Sequence, residues 1–87
     1  MIDLIMRDKV LLQMRRDAMA GASSTQLTLA NALSTDRGQI CNAIKKLTKR
    51  ELLVKGELLG APPNRGTYCY KLTKGGMSRA RELEEQQ

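Results

Sequence analysis

The chain contains no histidine, no tryptophan and no phenylalanine, and its only aromatic side chains are two tyrosines. Without histidine the commonest general base is missing, and so is a principal nitrogen ligand for zinc. Cys41 and Cys69 stand far apart, with no CxxC pair and no carboxylate cluster, so neither a protein-held metal nor a disulfide is expected. No Gly-rich phosphate loop and no nucleophile motif appears, which argues against an enzyme or a bound cofactor. No apolar run approaches the ~20 residues of a membrane span. The opening "MIDLIMRDKVLLQMRRD" has charges spread through it and does not fit a secretory signal. A soluble cytoplasmic protein with free thiols is the expectation, with no membrane partner and no pocket from which a small-molecule ligand can be inferred.

Leu, Ile, Val, Ala and Met must fill the interior, which suits helices. Eighty-seven residues are expected to form a single domain over 1–87. The net charge is +6, and its position is more informative than its size. Residues 34–65 hold Arg37, Lys45, Lys46, Lys49, Arg50, Lys55 and Arg65 against Asp36, Glu51 and Glu57, whereas each flank has an excess of a single positive charge. A central basic excess marks either a polyanion-binding surface or a solvated basic face.

Apolar spacing predicts a first helix over about 3–19, in which Leu4, Val10, Leu11, Met14 and Ala18 share one side and Ile5, Met6 and Leu12 widen it. That breadth suits a core helix, or one that also meets a second subunit. A helix-turn-helix is expected over about 25–50. Its first helix, about 25–33, is capped from Ser23, Ser24 or Thr25, and its second runs from about Asp36 to Arg50. Asp36 followed three residues later by Gln39 is a variant capping box. Two strands, about 54–59 and 67–73, form a wing over about 52–73, with Pro62-Pro63-Asn64-Arg65-Gly66 as the loop between them. Gly75-Gly76 reads as a break before a last helix, about 77–85.

The third helix carries the most information. With Ile40 facing the core, Ile44 and Leu47 stay within about 40° of it, while Asn42, Lys45 and Lys49 fall near 200°, 140° and 180° at ~100° per residue. Lys46 flanks that face. Between Asp36 and Glu51 there is no acid, although an ordinary solvent-facing helix mixes Glu with Lys as i,i+4 pairs. A duplex backbone would neutralise such a face, and the major groove admits a helix.

Helix, short turn and capped basic helix is the helix-turn-helix order. Leu29, Ala30, Leu33, Arg37, Ile40, Ile44 and Leu47, then "REL-LVK" and "YKLTKGG" (Tyr70 to Gly76), resemble in order and spacing a winged helix-turn-helix domain of the MarR kind of bacterial regulator. The likeness covers roughly Thr25 to Arg81. It implies a mainly α fold with a small β-hairpin (α+β): a three-helix core, a two-stranded wing and a C-terminal helix. It further implies that Arg37, Gln39, Asn42, Lys45, Lys46 and Lys49 belong to a recognition helix in the major groove. Asn64 and Arg65 would sit at a wing tip on the adjacent minor groove or backbone, and Ser24 and Thr25 would bond a phosphate. By their chemistry, Gln39 and Asn42 suit adenine edges, Arg37 a guanine, and the lysines phosphates. Three positions depart from the family pattern. Ser34 stands where the turn commonly has Gly, Thr35 where an aliphatic is usual, and Glu51 where a Gly precedes the wing. The chain is also too short to include the long dimerisation helices of full-length relatives.

Each residue has a blander reading. Gln39 can be occupied by the cap, the lysines and Arg65 can be ordinary surface polarity, and Cys41 can be a small half-buried side chain rather than an oxidation-sensitive neighbour of the site. Sequence-specific binding of double-stranded DNA in transcription regulation, as a homodimer or a cooperative oligomer, is the leading expectation. A winged-helix module for protein–protein contact in a larger assembly is the alternative.

Overall fold

The structure is a computed structural model that describes residues 5–60 and 66–86. In chain order the elements are α1 (Met6–Met19), α2 (Gln26–Ala32), α3 (Arg37–Lys49), β1 (Leu53–Leu58), β2 (Tyr68–Leu72) and α4 (Lys74–Glu85). Among the described residues, four helices and one antiparallel hairpin make the winged helix-turn-helix anticipated above. The start expected for α1 near residue 3 lies outside the described residues.

Side chains from every helix converge on one core. It holds Val10, Leu11, Leu12 and Met14 of α1, Leu29 and Ala30 of α2, Ile40, Ala43, Ile44 and Leu47 of α3, Leu53 of β1, and Ala80 and Leu83 of α4. Each large member contributes about 1.5–3 kcal/mol by leaving water. The apolar side of α1 is wider than the core it meets, because Ile5 is 50% and Met19 69% exposed at its two ends. Those ends, with Ala18, are what the helix leaves uncovered.

Three helices end in the same way. After α1, the Ala22 N–H donates to the Asp17 carbonyl (2.8 Å) and Gly21 to Ala18 (3.2 Å). After α2, Thr35 donates to Ala30 (3.0 Å) and Ser34 to Asn31 (3.3 Å). After α3, Leu52 donates to Leu47 (3.0 Å) and Glu51 to Thr48 (3.0 Å). These are Schellman caps, which place one residue in the left-handed region. The residues are Gly21 (φ 73°), Ser34 (φ 53°) and Glu51 (φ 62°). Ser34 and Glu51 are the two positions where the family pattern has glycine. The backbone keeps its turn there at a cost of about 1 kcal/mol each.

β1 and β2 pair with Leu53 opposite Leu72, Val54 opposite Lys71, Lys55 opposite Tyr70 and Leu58 opposite Tyr68, and the register shifts between Lys55 and Leu58. A single bridge adds Ser24 to the other edge of β2, where the Tyr70 N–H donates to the Ser24 carbonyl at 2.8 Å. The hairpin is thereby fixed to the loop between α1 and α2. Its outer face carries Lys55, whose ammonium lies 3.9 Å from the centre of the Tyr68 ring.

The last helix corrects the expectation of a glycine break. α4 begins at Lys74, so Gly75 and Gly76 form its first turn. Thr73 caps it, its hydroxyl accepting from the Gly76 N–H (3.1 Å) and donating to the Glu51 carbonyl (2.7 Å). The Thr73 N–H donates to the Leu52 carbonyl at 3.1 Å. Gly76 is required by proximity: a methyl carbon placed there would lie 2.9 Å from the Leu52 carbonyl carbon and closer still to its oxygen. The exit of α3 and the entry of α4 are thus fastened together.

Candidate nucleic-acid interface

α3 starts on a cap that leaves its outer face free. The Asp36 carboxylate accepts from the Gln39 N–H at 2.8 Å, as the sequence suggested. Among the described residues the reciprocal half of the box is not made, and the Gln39 side chain is exposed. The complete capping box is at α2 instead. There the Thr28 N–H donates to the Thr25 hydroxyl (3.1 Å) and the Thr25 N–H to the Thr28 hydroxyl (2.8 Å).

Ile40, Ala43, Ile44 and Leu47 are the buried stripe of α3. Arg37, Gly38, Gln39, Asn42, Lys45, Lys46 and Lys49 are all exposed. Cys41 is half-buried and free. Thr48 turns back on its own helix, its hydroxyl donating to the Ile44 carbonyl at 2.8 Å. Ion pairs among the described residues lie elsewhere: Arg15 with Glu84 between α1 and α4, Arg79 with Glu82, and Arg81 with Glu85. The cations of α3 therefore form no ion pair among the described residues. Lys46 and Lys49 occupy the last turn, where the helix dipole favours positive charge by about 0.3–1 kcal/mol. That gain accounts for one or two cations at that end, but not for the acid-free face along the helix.

Ser24 and Thr25 are placed differently from the expectation of hydroxyls facing a phosphate. Ser24 is 4% and Thr25 0% exposed. The Ser24 hydroxyl donates to Asp17 at 2.8 Å, and Thr25 caps α2. With their hydroxyls engaged inside the fold, these two residues hold the frame of the helix-turn-helix. Asn64 and Arg65 lie outside the described residues.

Two cations not singled out from the sequence join this region. Arg7 of α1 and Arg50, the C-cap of α3, line one shallow groove with Lys46 and Lys49. Arg50 follows Lys46 by four residues and was legible as its neighbour on the helix. Arg7 was not, because only the packing of α1 on α3 brings it there.

This architecture is that of the winged helix-turn-helix proteins of the MarR kind. No protein-family model matches the chain, and no curated protein sequence does. Solved structures do match. A form of ZitR from Lactococcus lactis superposes with a TM-score of 0.75 at 20% identity over 93% of this chain. ZitR is described as a zinc-responsive MarR family member. The adhesin competence repressor AdcR from Streptococcus pyogenes gives 0.75 at 19% identity over 95% of this chain. A mutant MarR from E. coli in complex with operator DNA gives 0.70 at 23% identity over 91%. The chain spans about half the length of these proteins, 55%, 56% and 51% respectively. At such identities the likeness establishes the fold.

Proposed function

We propose that the chain binds double-stranded DNA sequence-specifically and acts in transcription regulation, with α3 in the major groove and the wing tip over 62–66 on the adjacent minor groove or backbone. The observation that carries this reading is the outer face of α3. It is exposed and acid-free, and it presents Gln39 and Asn42 amides among Lys45, Lys46 and Lys49 on a winged-helix frame. Amides that can bond adenine edges bidentately, set among ammonium groups that suit phosphates, divide the labour of reading and holding a duplex. Arg37, exposed at the first turn of α3, has the reach and fork geometry for a guanine. The likeness to a protein solved with operator DNA supports the same reading. A single recognition helix spans few base pairs, so binding as a homodimer or in a cooperative array belongs to the proposal.

The test is selection from a random-sequence duplex library, with affinity measured by fluorescence anisotropy at two salt concentrations. Salt-dependent binding with an enriched motif is the expected result, and a two-fold symmetric motif would identify a dimer. Salt-dependent binding with no enrichment would replace this reading with an architectural one. No binding at low salt would leave α3 as a protein-binding surface.

A further inference from the structure

Four cations from two helices meet at one end of the recognition helix, and two of them, Arg7 and Arg50, lie outside the residues expected to contact DNA. Arg7 near the start of α1, and Lys46, Lys49 and Arg50 at the end of α3, line one open groove that holds no acid among the described residues. Lys46, Lys49 and Arg50 are spaced i, i+3, i+4 and so form one strip of α3. From Ile40 that strip lies at about 240°, 180° and 280°, which carries it from the outer face round toward one flank. Arg37, at about 60°, lies on the opposite flank. Arg50 and Arg7 also border an adjoining hollow with Arg79 and Asp8. Asp8 borders that hollow, and none of the ion pairs among the described residues includes it.

We infer that Arg7 and Arg50, with Lys46 and Lys49, form a phosphate clamp that holds one strand of the duplex beside the groove entered by α3. This rests on the DNA-binding reading above and extends the contact surface beyond the helix-turn-helix to α1. Four like charges, three on α3 and one brought up by the packing of α1, repel one another in the free protein, and a row of phosphates relieves that repulsion. The two guanidinium groups are suited to bidentate phosphate contact, whereas the lysines act as point charges. A groove along the flank of a recognition helix faces the backbone bordering the major groove and not the base edges. The clamp therefore contributes affinity and register without sequence preference.

The experiment measures the salt dependence of duplex binding for Arg7→Gln, Arg50→Gln, the double variant, Arg7→Lys and a charge-matched control, Arg81→Gln. Arg81 sits on α4 paired with Glu85, away from the groove. The slope of log affinity against log salt is expected to fall by about 0.9 for each lost phosphate contact, with affinity at 0.1 M salt reduced about eightfold per contact. The enriched sequence motif is expected to stay unchanged, Arg7→Lys to recover most of the slope, and Arg81→Gln to leave it as it was. Wild-type slope and affinity in Arg7→Gln and Arg50→Gln, while the parent protein binds duplex, would overturn the clamp and leave the DNA-binding reading standing. An equal loss in Arg81→Gln would also overturn it, by showing a general charge effect. No duplex binding by the parent protein would remove both.

Discussion

Two neighbouring glycines in the first turn of α4 are expected to respond oppositely to the same added methyl group. At Gly76 the methyl carbon would sit 2.9 Å from the Leu52 carbonyl carbon, where unstrained carbon atoms stay about 3.5–4.0 Å apart. The obstructing atoms are backbone, and the Leu52 carbonyl is held by the Thr73 N–H at 3.1 Å. Relief therefore requires moving the junction between α3 and α4. Overpacking of this kind costs about 1–3 kcal/mol, and a backbone obstacle puts Gly76→Ala at the upper end. The helix propensity of alanine returns up to about 1 kcal/mol, leaving a net loss near 2 kcal/mol. At about 4–8 °C per kcal/mol for a domain of this size, the midpoint should drop by ~8–16 °C. At Gly75 the same methyl would meet the Leu52 side chain at 3.7 Å and the Thr73 hydroxyl at 3.8 Å. Both are ordinary contacts, so Gly75→Ala should gain up to ~1 kcal/mol. Thermal melts followed by circular dichroism, with urea titrations alongside, measure both variants. A Gly76→Ala protein as stable as its parent, or equal shifts for the two variants, would refute the close approach of α4 to Leu52.

Other expectations follow from the helix ends. Ser34→Gly and Glu51→Gly remove left-handed strain at two Schellman caps and should each stabilise by about 0.5–1 kcal/mol, measured by urea denaturation. A loss of stability in both would mean that the side chains make contacts that outweigh the strain. Asp36→Ala deletes the cap of α3 and should destabilise by about 1 kcal/mol. Asp36→Asn should cost much less, because its amide oxygen can still accept from Gln39. Glu84→Ala breaks the pair with Arg15 on a surface that is partly exposed, and its effect should stay below ~1 kcal/mol. A larger drop would show that the α1–α4 contact depends on charge.

The element order and the buried stripe of α3 were legible because both rest on local spacing. Ile40, Ala43, Ile44 and Leu47 recur at the period of a helix, and in β2 Tyr68, Tyr70 and Leu72 alternate with Cys69 and Lys71 along the sequence. What was misread depends on tertiary contact. Gly75-Gly76 looked like a break, since glycine is a poor helix former. Gly76 belongs inside α4 because Leu52, twenty-four residues earlier, comes too close for any side chain. Ser24 and Thr25 looked available to a phosphate from their place before a helix. Ser24 is covered by the bridge to Tyr70 and bonded to Asp17, and the Thr25 hydroxyl is taken up in capping α2. Arg7 escaped notice because its place depends on tertiary contact. Ser34 and Glu51 were flagged as departures from a glycine pattern, and the positive φ at both positions gives those departures a physical meaning.

On the proposed reading, the amides of α3 read bases while its lysines hold phosphates. The most direct test is parallel selection from one random duplex library with the parent protein, Asn42→Ala and Lys49→Ala. Asn42→Ala should lose preference at one or two positions of the motif, by about 1–3 kcal/mol of discrimination. Lys49→Ala should keep the whole motif, bind every duplex more weakly and lower the salt slope by about 1. Equal weakening on all sequences by both variants, with the motif intact in each, would contradict the claim.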